Sequence, residues 1–163
     1  MKNRIIILFV LFATLNISGQ AQTAQDEVKE VITRLFNSME KGDSAKLHST
    51  FGDHVTMATV FRDKNNAPVI TYESSIADFL KAIGTPHPEI YYEEIWNVKI
   101  QIDGDFAQAW CDYAFYLGNK FSHCGVDAFH LFKGKEGWKI FHLADTRRKD
   151  NCNIPVEIQQ KHK

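Results

Sequence analysis

The chain has 163 residues, 44% hydrophobic and 24% charged, with a formal net charge of −1. That is enough for one globular domain with a single core. The near-neutral balance lacks the basic footprint of a nucleic-acid binder, and the seven scattered histidines have no zinc-ligand spacing, so neither nucleic acid nor a metal is expected.

The first residues read as a leader. Lys2 and Arg4 form a basic start, Ile5 to Leu15 is an apolar run broken only by Thr14, and Gly19 and Ala21 are small residues in the arrangement a signal peptidase needs. The run is shorter than the roughly 20 residues that span a bilayer. Residues 1–21 are therefore expected to be a cleaved signal peptide. The mature protein begins near Gln22 in the periplasm or outside the cell, with no stable membrane insertion. That compartment is oxidising. Of the three cysteines, Cys124 and Cys152 can bridge if the tail folds back over the sheet; three free thiols are the alternative.

A domain over 22–150 follows. Val28, Val31, Ile32, Leu35, Phe36 and Met39 make one apolar stripe, which predicts a helix from Thr23 to Lys41. Gly42 suits its C-terminal cap. A short helix carries Leu47 inward. His54 to Phe61 and Pro68 to Tyr72 read as strands, the second at an edge because of its proline. Ser75 opens a third helix, with Ile76, Phe79, Leu80 and Ile83 on its apolar face.

From Tyr91 onward the chain is a meander of long strands: Tyr91 to Ile102, Phe106 to Leu117, and a hairpin from Phe121 to Arg148. Residues 151–163 read as a loose tail. Taking Asp103-Gly104-Asp105 as a three-residue loop and Gly118-Asn119 as a two-residue turn fixes which side chains share a face. One face then carries Trp96, Val98, Ile100, Trp110, Asp112, Tyr116, His123, Asp127, Phe129, Trp138, Ile140 and His142. With all three tryptophans and almost no lysine, it is expected to be concave and packed by the helices. The other carries Ile95, Cys111, Tyr113, Phe115, His130, Leu143, Asp145 and Arg147. It is expected to be solvated and able to pair with a second copy.

Helices followed by a long curved meander, and above all WCDYAFYLGNKFSHCGVDAFHLFKGKEGWKIFHLADTRR from Trp110 to Arg148, resemble the nuclear transport factor 2-like superfamily. The likeness extends to its small secreted bacterial members that carry a lumazine-binding label. It implies an α+β cone: three N-terminal helices packed on a strongly curved, mostly antiparallel sheet. A pocket between the two layers and homodimers through the sheet are implied as well. Polyketide cyclases and ketosteroid isomerases are related in fold, so the fold does not select a function.

The residues single out Asp127 and His142 as a candidate acid–base pair, since a carboxyl in an apolar pocket has its pKa raised toward neutrality. Trp96, Trp110, Asp112, Tyr116, His123 and Phe129 are candidate ligand contacts on the same face. Arg147, at the end of the last strand, could clamp a carboxylate or phosphate, or else pair with Asp145. The preferred function is binding of a small, partly aromatic or hydrophobic ligand without a cofactor. A cofactor-independent lyase or isomerase and a non-catalytic dimerising module are the alternatives.

Overall fold

The computed structural model describes residues 15–163 except residue 74, with side chains from residue 23 onward. The start of the expected leader, residues 1–14, lies outside the described residues. Helix α1 (Leu15–Glu40) begins eight residues earlier than its apolar stripe predicts. That stripe is nonetheless its buried face: Val28, Ile32 and Leu35 are almost fully covered. Gly42 follows at φ 64°, its N–H donating to the Met39 carbonyl, and Asp43 then caps α2 (Ser44–His48) through its side chain. Helix α3 (Ile76–Gly84) is capped by Ser75, whose hydroxyl accepts from the Asp78 N–H. Among the described residues no helix is long and apolar enough to cross a membrane.

Six strands form one sheet: β1 (Phe51–Arg62), β2 (Pro68–Tyr72), β3 (Tyr91–Asp103), β4 (Phe106–Leu117), β5 (Lys120–Gly134) and β6 (Gly137–Arg147). Their order is β2-β1-β6-β5-β4-β3. Only β1 and β6 run parallel, so the sheet is mostly antiparallel and the expected α+β cone is the observed architecture. One apolar core fills the space between α1, α3 and the concave face, from Phe36 and Ile83 to Ala109, Phe129, Leu131 and Ile140. Burying each large aliphatic side chain in such a core contributes about 1.5–3 kcal/mol.

The faces differ from the regular alternation, for four local reasons. Asp103 pairs directly with Phe106, so the β3–β4 loop has two residues rather than three, with Gly104 at φ 57°. That shorter loop turns Trp110 and Asp112 to the convex side and Ala109, Cys111 and Tyr113 to the core. A bulge at Asn97, φ 53°, then flips Trp96 outward and brings Ile95 and Glu93 in. A second bulge, at Ser122, aligns His123 with Phe115 and Asp127 with Cys111. A third, at Phe141, sends His142 outward and Leu143, Asp145 and Arg147 inward. An extra residue in one strand reverses every side chain beyond it.

The tail is not loose. Cys124 and Cys152 form a disulfide, and α4 (Val156–Lys161) lies on the convex face. Ile158 packs with Tyr116, Cys124 and Trp96 in a second small core. The His162 ring stacks on Tyr116 at 3.9 Å between centroids, and Lys161 and His162 both reach Glu94. Part of the face expected to be open is therefore occupied by the chain's own end.

Candidate functional site

Between the sheet and α1 and α3 lies a cavity of about 200 Å³. That is far more than the roughly 30 Å³ share of one water molecule, so it has room for a small ligand. Its apolar wall includes Phe36, Met39, Phe79, Ile83, Phe115 and Leu143. Its polar end is built by five strands: Thr59 from β1, Glu93 from β3, Tyr113 from β4, His123 and Asp127 from β5, and Asp145 and Arg147 from β6.

Asp145 is the fixed point. It accepts from the Thr59 hydroxyl at 2.5 Å, from the Tyr113 hydroxyl at 3.1 Å and from Arg147 Nε at 2.8 Å. The Tyr113 hydroxyl also lies 2.9 Å from the Thr146 carbonyl oxygen, so its proton is shared between two acceptors. This close approach depends on Gly125. A Cβ there would sit 1.7 Å from the Thr146 oxygen and 2.7 Å from the Tyr113 ring. The Thr146 hydroxyl meanwhile takes the Val126 N–H at 3.1 Å, standing in for a ladder bond.

Asp127, 3% exposed, faces Glu93. Burial first, and the charge of Asp145 second, push the Glu93 carboxyl up to about 8. Burial and the neighbouring Glu93 push Asp127 well above the usual carboxylate range. The hydrogen bond between them lowers Glu93 and raises Asp127, which makes Asp127 the donor and Glu93 the acceptor. Two carboxyls in an apolar hollow cannot both ionise cheaply, so they hold protons at a pH where ordinary carboxylates have lost them. His123 is driven the other way, to about 4, by burial and then by Arg147. Burial works against the Arg147 charge, but the bond and attraction of Asp145 outweigh it and hold Arg147 above its ordinary value. Cys111 lies behind the pair, its Sγ 4.0 Å from Asp127 Oδ2; burial, then the Asp127 charge, raises this thiol far beyond reactive range. Among the described residues no three His, Cys, Asp or Glu side chains are grouped to hold a metal ion.

Of the residues singled out from sequence, the structure brings Asp127, His123 and Arg147 to this cavity. Phe129 is fully buried in the core, edge-on to Phe36. The remainder lie on the opposite face. Asp112 accepts from Asn97 Nδ2 at 2.8 Å, and His142 Nδ1 is 2.7 Å from the Thr56 hydroxyl. Trp96 and Tyr116 are under the tail, and Trp110 is 53% exposed. Asp127 and His142 are thus separated by the thickness of the sheet and cannot act as a pair. Glu93, Tyr113 and Asp145 take the places expected of Asp112, Tyr116 and His142. Glu93 had a signal: Glu93 and Glu94 are adjacent in a strand, so one of them must face inward.

No family model matches the chain, and no curated protein matches it significantly. Solved structures do. An NTF2-like protein of unknown function from Shewanella baltica superposes with TM-score 0.59 at 18% identity, over 81% of this chain and 97% of that one. An NTF2-like superfamily protein from Salmonella enterica serovar Typhimurium gives 0.61 at 17%, over 80% and 95%. A provisionally assigned dehydratase of the NTF2-like family from Streptomyces avermitilis gives 0.60 at 17%, over 78% and 98%. At these identities the likeness is one of architecture, and it agrees with the six-stranded cone and its enclosed hollow: the chain has the nuclear transport factor 2-like fold.

Proposed function

We propose that the protein is a secreted binder of a small, largely apolar molecule held in the hollow between α1, α3 and the sheet. The observation that carries this is the composition of that hollow. An aromatic and aliphatic wall ends in one tight polar group of Glu93, Asp127, Tyr113, His123 and Arg147. Such a site takes an apolar body by burial and orients it by a few convergent hydrogen bonds. Secretion is supported by the leader-like start and by the Cys124–Cys152 bridge, a bond that persists in oxidising compartments. The test is native mass spectrometry of protein purified from its own host. Wild type is expected to carry a small-molecule adduct that Leu143→Trp, which fills the hollow, loses. An adduct retained by that variant would put the ligand elsewhere.

The Glu93–Asp127 pair favours a second reading, a cofactor-independent lyase or isomerase. A carboxyl that changes protonation near pH 8 is suited to give and take protons at neutral pH. Among the matched structures, the name of the Streptomyces avermitilis protein includes dehydratase. On this reading Asp127→Asn abolishes turnover of an identified substrate with the fold intact; an unchanged rate removes Asp127 from the chemistry.

Homodimerisation belongs to the same proposal. Its support is the part of the convex face that the tail leaves open, where Trp110, Phe106 and Phe132 are exposed beside His130 and Phe141.

A further inference from the structure

The polar end of the cavity does not close at His123 and Arg147. An open groove of about 660 Å³ begins there, and it shares Thr59, Glu73, His123 and Arg147 with the inner hollow. Its floor and rim add Arg62, Arg148 and Lys149. Arg62 donates through Nη1 to the Asn66 carbonyl. The backbone of Arg148 pairs with Cys124, but neither the Arg148 guanidinium nor the Lys149 ammonium has a hydrogen-bond or ion-pair partner among the described residues. Arg147 spends Nε on Asp145, and its two Nη groups stay open to the groove. The acids along the groove are Glu73 and Asp150.

The two spaces together make one elongated site with unlike ends. The inner wall of Phe36, Met39, Phe79 and Leu143 offers no counter-charge, so an ionised group could not be seated there without a large desolvation cost. The junction offers a guanidinium with two free edges, backed by two further unpaired cations. Arginine in that setting suits bidentate contact with a planar anion. The positive field is felt by the junction itself: after burial, Arg147 and Lys149 both work to keep His123 unprotonated. A neutral His123 can hydrogen-bond a ligand at the neck without adding a charge of its own.

We propose that this groove recognises a carboxylate on the ligand whose apolar body fills the hollow, so that the molecule bound is an amphipathic organic acid. The assignment rests on the small-molecule reading of the cavity. The acid enters body first and leaves its carboxylate at Arg147, within reach of Arg148 and Lys149.

The test uses two probes that differ only in charge, naphthalene-2-acetate and naphthalene-2-acetamide, titrated calorimetrically at low salt. Wild type is expected to bind both, the acetate about tenfold more tightly, equivalent to about 1.4 kcal/mol. An Arg148→Gln/Lys149→Gln variant, with its thermal midpoint checked, is expected to lose that preference and keep its amide affinity. Equal affinities in wild type, or a preference that survives in the variant, overturn the carboxylate assignment and leave the cavity reading standing through the amide. Failure of both probes to bind wild type overturns the cavity reading and the assignment with it.

Discussion

Glu93 on β3 and Asp127 on β5 meet across the intervening strand β4, with the Asp127 carboxyl donating a hydrogen bond to Glu93 beside the Cys111 thiol. Their pKa values belong to the pair, and the pair sets how the fold responds to pH. A carboxyl raised to about 8 from 4.5 contributes stability that is complete below 4.5 and is lost as the pH rises through 8. His123, lowered to about 4 from 6.5, contributes stability that is present above 6.5 and lost as the pH falls through 4. Between pH 6.5 and 8 the carboxyls act with His123 already neutral. Urea denaturation there should show stability falling by about 1 kcal/mol per pH unit. Glu93→Gln should make the slope shallower, leaving the part that buried Asp127 contributes; an unchanged slope would remove Glu93 as a source.

The direction of the shared hydrogen bond gives a second outcome. Asp127→Leu removes the donor, and a charge-assisted bond contributes about 1.5 kcal/mol, so Glu93 should titrate about one pH unit higher. Carboxyl-carbon NMR of the two proteins measures it. A lower Glu93 pKa in the variant would mean that the proton sits the other way round.

Gly125 allows Tyr113 and Thr146 to approach, and Gly125→Ala drives a methyl group into the Thr146 backbone. The neighbour is main chain and cannot swing aside, so a loss of about 3 kcal/mol or more is expected. Tyr113→Phe keeps the shape and removes one donor to Asp145, at about 1 kcal/mol. Thermal denaturation separates the two; similar losses would show that the close approach is not what Gly125 provides.

The disulfide closes a loop of 28 residues and pins the tail. Replacing Cys124 and Cys152 by alanine should cost about 3.5 kcal/mol through the freed unfolded chain. It should also release α4, so that amide protection over 156–161 drops while β5 and β6 stay protected. Undiminished protection would mean that Ile158 and the Tyr116–His162 stack hold the tail alone.

The open part of the convex face predicts association. Light scattering at micromolar concentration should report twice the chain mass, and Trp110→Asp should halve it, because a charge at an exposed tryptophan desolvates badly in an interface. A monomeric wild type would count against this face.

The sequence carried the architecture because its signals are periodic and local. The Val28–Met39 stripe, the Ser75 cap and the long aromatic strands each fix an element without reference to the others. The site depends instead on register, which single residues change. Asn97, Ser122 and Phe141 are unremarkable letters, yet each is an extra residue in its strand. Together with the two-residue loop at Gly104, they exchange Asp112, Tyr116 and His142 for Glu93, Tyr113 and Asp145 on the inner face. Strand β5 kept its expected face, which is why His123 and Asp127 were legible. Arg147 was singled out for its position at a strand end and reaches the cavity only because of the Phe141 bulge.

Two of the chain's three methionines, Met39 and Met57, line the cavity, and the third is Met1. Methyl-labelled methionine therefore reports on the hollow almost without background. Titrated with naphthalene-2-acetamide, both cavity methyl resonances should shift together and saturate, with the Trp110 indole resonance unmoved. If Met39 and Met57 stay in place at saturating ligand, or only Trp110 responds, the hollow between the helices and the sheet is not the binding site.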